Sequence, residues 1–274
     1  MPAKVRLDFC LLIPCYNNIA GLVHSLDSVK YSGKDYLIVI IDDGSDTSLD
    51  EESLQQALTS FQPIVLLKND TNSGITFSLN KGLHWILSRT ESAFIARLDC
   101  GDICSAERFD KQVGFLHAHP AVGLLGSWCR FQEPGSGGGF NYTTPVHHSQ
   151  ILHAMHFRNV FIHPTVMIRL DVLKKNKLLY PDNFLHAEDY AFFWSILRIS
   201  QSYILNEFLV ICEINKTGIS YKNRGKQLYA RFKVVRHYSS SGFLKILSYF
   251  CLAVLRIIPA SFLLRIKKMS GNKS

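Results

Sequence analysis

Residues 92–102 read Ser-Ala-Phe-Ile-Ala-Arg-Leu-Asp-Cys-Gly-Asp, an apolar run that leads directly into two carboxylates. Only Arg97 interrupts residues 93–98, a pattern typical of a strand that is covered on both faces. Such a strand carries Asp99 and Asp102 to its carboxyl end, where ligands bind in an open α/β sheet and where carboxylates can hold a divalent cation against a phosphate. A capped turn before the next helix predicts the same residues, so this segment alone leaves both interpretations open.

The same arrangement occurs earlier in the chain. A short apolar run, Phe9–Ile13, precedes Pro14-Cys15-Tyr16-Asn17, and a second run, Tyr36–Ile41, leads into Asp42-Asp43-Gly44-Ser45. A solvated turn needs only one acid, so the repeated pairs favour a ligand site over simple turns. Tyr16 at the end of its strand could stack on a flat base or cover the edge of the core.

Strands and helices alternate over the first 130 residues. Apolar spacing predicts helices that end at about Val29 and cover Glu51–Phe61, Ile75–Leu87 and a segment through Leu116, with further strands at Ile64–Leu67 and Val122–Phe131. This alternation indicates βαβ crossovers, so the predicted fold class is α/β with a mostly parallel sheet flanked by helices.

The second half of the chain contains fewer recognisable motifs. Phe161–Ile168 is predicted to be a strand that presents His163 beside a proline, and the five histidines of this region lack a zinc-binding spacing. Glu188 and Asp189 precede an apolar helical face, and N-terminal capping is the alternative explanation for these acids. The glycine-rich segment 133–139 lacks a P-loop ending and is predicted to be a surface loop.

Composition limits the class of protein. The chain has 274 residues, 47% hydrophobic and 19% charged, which is the range of a globular protein, and a net charge of +8 favours anionic partners. The seven cysteines contain no C-x-x-C pair, and no secretory signal is visible, so we expect a reducing, cytoplasmic location. No nucleic-acid-binding module is recognisable, and no nucleic acid is expected as a partner.

The segment Phe243–Ile266 is nearly apolar and is followed by Lys267 and Lys268. Its longest uncharged run, Ile246–Leu255, is about half of the ~20 residues that a membrane span requires. An amphipathic segment on an anionic membrane surface suits both charge and length, and a buried core helix is the alternative. We therefore expect peripheral association with the inner face of the cytoplasmic membrane.

Taken in order, these motifs resemble the GT-A glycosyltransferases of family two, particularly bacterial enzymes of lipopolysaccharide, capsule and exopolysaccharide synthesis. The matching segments span residues 9–190 and are Ile13-Pro14-Cys15-Tyr16-Asn17, Ile41-Asp42-Asp43-Gly44-Ser45, Asn72-x-Gly74 with Asn80-x-Gly82, Arg97-Leu98-Asp99-Cys100-Gly101-Asp102, His163-Pro164-Thr165 and Ala187-Glu188-Asp189-Tyr190. Each segment is short, but the ordered set is specific.

The resemblance implies a GT-A domain over residues 1–215 and a helical, basic extension over residues 216–274. Within the domain, the donor part would cover about residues 1–130 and the acceptor part about residues 140–215. The implied activity is inverting transfer of a sugar from a nucleotide-diphosphate sugar to a hydroxyl of a lipid-linked saccharide. Among the nucleotide sugars, a UDP-sugar is the expected donor. A non-catalytic nucleotide-binding subunit of a membrane polysaccharide complex is the alternative. A sugar nucleotidyltransferase would need a glycine-rich basic loop after the first strand, which this chain lacks.

The resemblance also implies the site residues. The nucleotide sugar would contact Pro14, Tyr16, Asn17, Asp42, Asp43, Gly74, Arg97 and Asp99. Tyr16 would stack near the base, Asp43 would accept a hydrogen bond from a base N–H, and Asp42 would support that loop.

The cation and the catalytic base are implied in the same way. Mn²⁺ or Mg²⁺ would be held by Asp99, Asp102 and His163, although many relatives carry an Asp where this chain has Gly101. Asp189 would be the general base. Glu188 would raise its proton affinity by like-charge repulsion or would contact the acceptor.

Overall fold

A computed structural model describes residues 5–133, 138–214 and 224–258. Most of the predicted glycine-rich loop and the last part of the basic C-terminal segment lie outside these residues.

The first half of the chain forms the predicted parallel sheet. Four strands, β1 (Val5–Cys15), β2 (Tyr36–Asp42), β3 (Ile64–Lys68) and β4 (Thr90–Arg97), lie in the order β3-β2-β1-β4, and each pairs in parallel with its neighbour. The crossovers are helices α1 (Ile19–Asp27), α2 (Glu51–Ala57) and α3 (Ile75–Arg89). The prediction of βαβ units is confirmed, and the carboxyl ends of β1, β2 and β4 therefore share one edge of the sheet.

The second half extends this sheet with strands of both directions. Its elements are β5 (Ile103–Cys104), α4 (Arg108–Ala118), β6 (Val122–Gln132), β7 (Gly139–Tyr142), α5 (His148–Met155), β8 (Met167–Arg169), α6 (Leu170–Asn176), α7 (Glu188–Leu197) and β9 (Gln201–Glu213). The strand order continues β4-β8-β6-β9-β5. Strand β7 pairs with the last residues of β6, Cys129–Gln132. Because β8 is antiparallel to both β4 and β6, the sheet is parallel in its first four strands and mixed beyond them.

The predicted strand at Phe161–Ile168 is wrong in its extent. Residues His163–Thr165 form a 3₁₀ turn, and only β8 after it is extended. Pro164 has no N–H for a strand ladder and suits the start of a helical turn, while the Thr165 hydroxyl donates to the Ile162 carbonyl at 2.8 Å. The turn therefore places His163 beside the end of β4.

The sheet separates two apolar cores. One core contains side chains of α3, α6 and α7, and the other contains side chains of α1 and α4. At Gly82 in α3, an added Cβ would lie 2.3 Å from Leu12 and 2.7 Å from Ile41. The glycine of the Asn80-x-Gly82 motif is thus explained by close packing of α3 on β1 and β2.

The described part of the predicted C-terminal extension, residues 224–258, is helical. Helix α8 (Arg224–Tyr238) buries Ala230, Val234 and Val235, and α9 (Gly242–Ile257) packs on α8, with the Phe232 and Tyr249 rings 4.5 Å apart. Within the described residues, no helix is both long and apolar enough to cross a bilayer.

Candidate active site

The loops that follow β1 and β2 are fastened to each other by Asn17. Its backbone N–H donates to the Ser45 hydroxyl, its side-chain amide donates to Asp46, and its side-chain oxygen accepts from the Asp46 N–H, each at 2.9 Å. Asn17 has a φ of 50°, a left-handed conformation that asparagine tolerates. The exposed ring of the neighbouring Tyr16 is thereby placed at the edge of the sheet.

Asp43 is buried and organises a third loop. Its Oδ1 accepts from the Asn69 amide at 2.7 Å and from the Ser73 N–H at 2.9 Å, and its Oδ2 accepts from the Gly74 N–H at 3.0 Å. Gly74, at φ 87°, is the N-cap residue of α3. A carboxylate offers about four acceptor positions, so three bonds leave one position on Oδ2. Asp42 supports its own loop by accepting from the Ser45 N–H at 3.0 Å.

Arg97 lies at the centre of the carboxyl edge of the sheet. Its guanidinium is buried, and Nη2 donates to Asp99 at 2.7 Å, while Nη1 donates to the Leu12 carbonyl. Its Nε donates at 3.3 Å to His163 Nε2, and the Tyr180 hydroxyl lies 2.8 Å from the same nitrogen. Burial and the Arg97 charge lower the pKa of His163, so its imidazole is neutral. His163 therefore braces Arg97 and Tyr180.

The loop after β4 is shaped by Gly101. Gly101 has a φ of 103°, and an added Cβ would lie 3.2 Å from the Glu213 carboxylate, so Glu213 reaches the space that a side chain at this position would enter. Asp102 is buried and accepts from the Glu213 N–H at 2.9 Å. Burial and the charge of Asp99 raise the pKa of Asp102 to about 8.

Asp189 stands at the start of α7 with both oxygens engaged. Oδ2 accepts from the Asn159 amide at 2.9 Å, and Oδ1 accepts from the Tyr190 N–H at 2.7 Å. Burial and the like charge of Glu188 raise the pKa of Asp189 to about 7, and the charge of Asp99 adds to this effect. One oxygen of Glu188 is shielded from solvent and has no hydrogen-bond partner among the described residues.

These contacts bring together side chains that are distant in sequence. Asp99, Arg97, His163 and Tyr180 form one connected group. Burial raises the pKa of Tyr180, and the charges of Asp189 and Asp99 both add to this effect. The Asn18 amide donates to the Cys100 carbonyl, which joins the loop after β1 to the loop after β4. The acids at the ends of β2 and β4 and the start of α7 thus lie around the carboxyl edge of one sheet.

Several residues of this site had no signal in the sequence. Asn69, Asn159, Tyr180 and Glu213 were not predicted, because isolated polar residues outside a motif look like ordinary surface residues. For the metal prediction, the geometry places Asp99 and Asp102 in one loop but gives His163 two other partners. Within residues 5–133, 138–214 and 224–258, no three or more His, Cys, Asp or Glu side chains are grouped to hold a metal.

The fold and the acidic strand ends define a GT-A enzyme, and comparisons with known proteins give its family. The family model described as "Glycosyl transferase family 2" matches residues 10–175. The chain belongs to this family and is a glycosyltransferase, which confirms the resemblance seen in the sequence motifs. The individual relatives named below have low sequence identity to the chain, so each shows only what the chain is similar to.

Two curated relatives cover most of the chain. The amylovoran biosynthesis glycosyltransferase AmsE of Erwinia amylovora is 27% identical over 272 residues, which is 92% of this chain and 94% of the relative. The O-antigen biosynthesis glycosyltransferase WbnJ of Escherichia coli is 24% identical over 241 residues, 85% and 91% of the two chains. Both relatives are named for polysaccharide biosynthesis.

Two solved structures share the fold. TarS (residues 1–349) of S. aureus, in complex with UDP-GlcNAc, has a TM-score of 0.61 at 17% identity, and the match covers 90% of this chain and 71% of that one. The mannosyltransferase PcManGT of Pyrobaculum calidifontis, with GDP-Man and Mn²⁺, has a TM-score of 0.59 at 15% identity, with coverages of 95% and 79%. These similarities confirm the predicted α/β fold of the GT-A type.

Proposed function

We propose that the protein transfers a sugar from a nucleotide-diphosphate sugar to a hydroxyl of a lipid-linked saccharide during surface-polysaccharide synthesis. The donor proposed is a UDP-sugar. In this proposal, Asp189 takes the proton of the acceptor hydroxyl as the hydroxyl attacks the anomeric carbon opposite the diphosphate. A single displacement of this kind inverts the anomeric configuration.

The observation that carries the proposal is the state of Asp189. A general base works best when its pKa lies near the operating pH, and burial with Glu188 raises the pKa of this carboxyl to about 7. Hydrogen bonds from Asn159 and the Tyr190 N–H fix its orientation. A carboxylate that only caps a helix end in solvent requires neither a raised pKa nor a fixed orientation.

The donor would lie across the ends of β1, β2 and β4. Tyr16 is exposed there and offers a ring for base stacking. The free acceptor position on Asp43 Oδ2 would take a base N–H, while Asp42 and Asn17 hold the surrounding loops. Pro14 is the last residue but one of β1, and Gly74 fixes the loop that Asp43 organises.

The residues at the end of β4 fit a divalent cation that is held mainly by substrate. Mg²⁺ and Mn²⁺ prefer oxygen ligands, and Mg²⁺ is usually bound through one or two carboxylates and the phosphates of the substrate. Asp99 is 37% exposed and Glu213 is exposed beside Gly101, so these two carboxylates, with Asp102 behind them, would hold it. When bound, the cation would neutralise charge on the departing diphosphate.

A role for His163 as a ligand receives no support from its position. Its Nε2 already faces Arg97 and Tyr180, so His163 would act by orienting Arg97 and through it Asp99.

Association with an anionic membrane surface is part of the proposal. Residues 1–213 contain all 22 acids and 17 of the 30 Lys and Arg residues, whereas residues 214–274 contain 13 Lys and Arg and no acid. Helix α9 carries a stripe of exposed apolar side chains, namely Phe243, Ile246, Leu247, Phe250, Val254 and Ile257. Basic charge beside an exposed apolar helix face is the pattern of an interfacial helix.

The transferase proposal is tested with a panel of nucleotide sugars, Mn²⁺ or Mg²⁺, and lipid-linked acceptors. We expect Asp189→Asn to lose on the order of 10²-fold or more in kcat while keeping nucleotide affinity. The matched control is Asp182→Asn, which changes an exposed acid seven residues away and should leave turnover unchanged. Turnover at the wild-type level in Asp189→Asn would remove Asp189 as the base.

The membrane proposal has its own test. Ile246→Glu with Phe250→Glu should abolish sedimentation with phosphatidylglycerol vesicles, whereas Phe61→Glu, which changes another exposed aromatic residue, should not. Equal sedimentation of all variants would show that α9 does not bind the membrane.

A further inference from the structure

Two arginines lie near Asp189: the Asp189 charge acts on Arg231, and Arg158 precedes Asn159, which donates to Asp189. Arg158 follows α5 and donates from Nη1 to the Tyr142 hydroxyl at 2.8 Å. Arg231 projects from α8 and donates from Nη2 to the Phe157 carbonyl at 2.8 Å. We call these two residues the arginine pair.

The arginine pair forms no ion pair with a carboxylate of the described residues. Within the described residues, no Asp or Glu oxygen lies within 4.0 Å of either guanidinium, and the segments outside them contain no Asp or Glu at all. The Nε of Arg231 is shielded from solvent and lacks any hydrogen-bond partner among the described residues.

The two fully buried arginines, Arg97 and Arg108, have partners. Arg97 pairs with Asp99, and all three nitrogens of Arg108 donate, to Gln112, to Cys104 and to the Arg97 carbonyl. Among the described residues, the Nε of the half-buried Arg231 is the one solvent-shielded arginine nitrogen without a hydrogen-bond partner.

The electrostatics of the pair favour an anion. Burial lowers the pKa of Arg231, and the positive charge of Arg158 lowers it further, whereas Tyr190, Tyr142 and the more distant charge of Asp189 raise it, and the net pKa stays below the usual value. A buried charge is costly unless it is paired and hydrogen-bonded, and two guanidinium groups that repel each other increase that cost. A dianion would satisfy both groups at once, and guanidinium groups bind phosphate oxygens through two parallel N–H bonds.

The position of the pair connects it to the acceptor. Asn159, which holds Asp189, is the neighbour of Arg158, and Tyr190, which contributes to the electrostatics of Arg231, is the neighbour of Asp189. Helix α8 packs on α9, the helix with the exposed apolar stripe. A phosphate bound here would lie between the candidate base and the basic, apolar C-terminal surface.

We propose that Arg158 and Arg231 bind a phosphate or diphosphate group of the acceptor. This inference rests on the proposed function, in which Asp189 activates the acceptor hydroxyl. It narrows the acceptor to a saccharide that carries a phosphate close to the hydroxyl that reacts.

The test measures binding of inorganic pyrophosphate to protein that is already saturated with UDP and Mg²⁺, so that the donor site is filled. We expect Arg158→Gln and Arg231→Gln each to weaken pyrophosphate binding by tenfold or more without changing UDP affinity. The control is Arg236→Gln, an exposed arginine on the same helix, which should bind as the wild type does. The Arg231 Nε–H signal in ¹⁵N NMR spectra should shift on addition of pyrophosphate.

Three results would overturn the proposal: unchanged pyrophosphate affinity in both folded Gln variants, an unmoved Arg231 Nε–H signal, or glucuronate binding as tightly as pyrophosphate. If Arg231→Gln fails to fold, the pyrophosphate affinity of Arg158→Gln and the Arg231 Nε–H signal of the wild type decide whether the proposal holds. Competition by a soluble sugar 1-phosphate, compared with phosphatidylcholine vesicles that contain an isoprenyl diphosphate, identifies whether the phosphate belongs to a glycan or to a lipid. Because UDP binding and the Asp189→Asn effect are measured separately, failure here is distinct from failure of the proposed function.

Discussion

The substitution Glu188→Gln tests how the chain sets the proton affinity of its candidate base. Glu188 is the second cause, after burial, of the pKa of about 7 at Asp189. Glutamine keeps the size of the side chain and removes its charge. Since the ionised form of Asp189 then faces one negative charge fewer, its pKa must fall.

The magnitude follows from Coulomb's law. For charges on adjacent residues, an assumed separation of about 7 Å and an effective dielectric of about 20 to 40 give an interaction of roughly 1 to 2 kcal/mol, or on the order of one pKa unit. A general base is active when deprotonated, so activity is lost as the pH falls through the Asp189 pKa. The acid limb of the pH profile should therefore move from near pH 7 to about pH 6 in Glu188→Gln.

The assay is kcat/KM against pH, with saturating cation, for the wild type, Glu188→Gln and the control Asp182→Asn. Below pH 7 the Gln variant should be faster than the wild type, up to roughly tenfold, because more of its base is ionised. An acid limb that stays in place or moves upward would refute this account of Asp189. It would favour direct contact of Glu188 with the acceptor.

Three further changes probe the loops that hold the donor. Asp43→Asn should destabilise the protein by about 1–3 kcal/mol, because an amide cannot accept all three bonds from the 69–74 loop, and faster amide exchange in that loop would show it. Asn17→Ala should raise the KM for the nucleotide sugar severalfold with little change in kcat, and an unchanged KM would mean that its bonds do not order the donor site. Gly101→Asp should lower the thermal midpoint, since φ is 103° and Glu213 occupies the adjacent space, and adding Glu213→Ala should recover part of the loss. No recovery in the double variant would leave backbone strain as the whole cause.

The sequence predicted the donor half well because its signals are local. Each parallel strand is a continuous apolar run, and each ends in polar residues that the resemblance recognises, as at Asp42 and Asp99. Local patterns of this kind predict βαβ crossovers and a parallel sheet without any knowledge of distant contacts.

The remaining features depend on contacts that local patterns do not encode. The 3₁₀ turn at His163 follows from Pro164 and from bracing by Arg97, which is 66 residues away. Glu213 comes to Gly101 only because β9 returns beside β5 at the far end of the sheet. The arginine pair joins two elements 73 positions apart, and in the sequence each arginine looks like an ordinary surface charge.

The central claim is that the ends of β1, β2 and β4 and the start of α7 surround one nucleotide-sugar pocket. A crystal structure of the protein with UDP-sugar and Mn²⁺ tests it most directly. The account predicts the base between Tyr16 and Asp43, the diphosphate beside Asp99, and the anomeric carbon facing Asp189. A nucleotide bound elsewhere, or a sugar with its anomeric carbon turned away from Asp189, would contradict it.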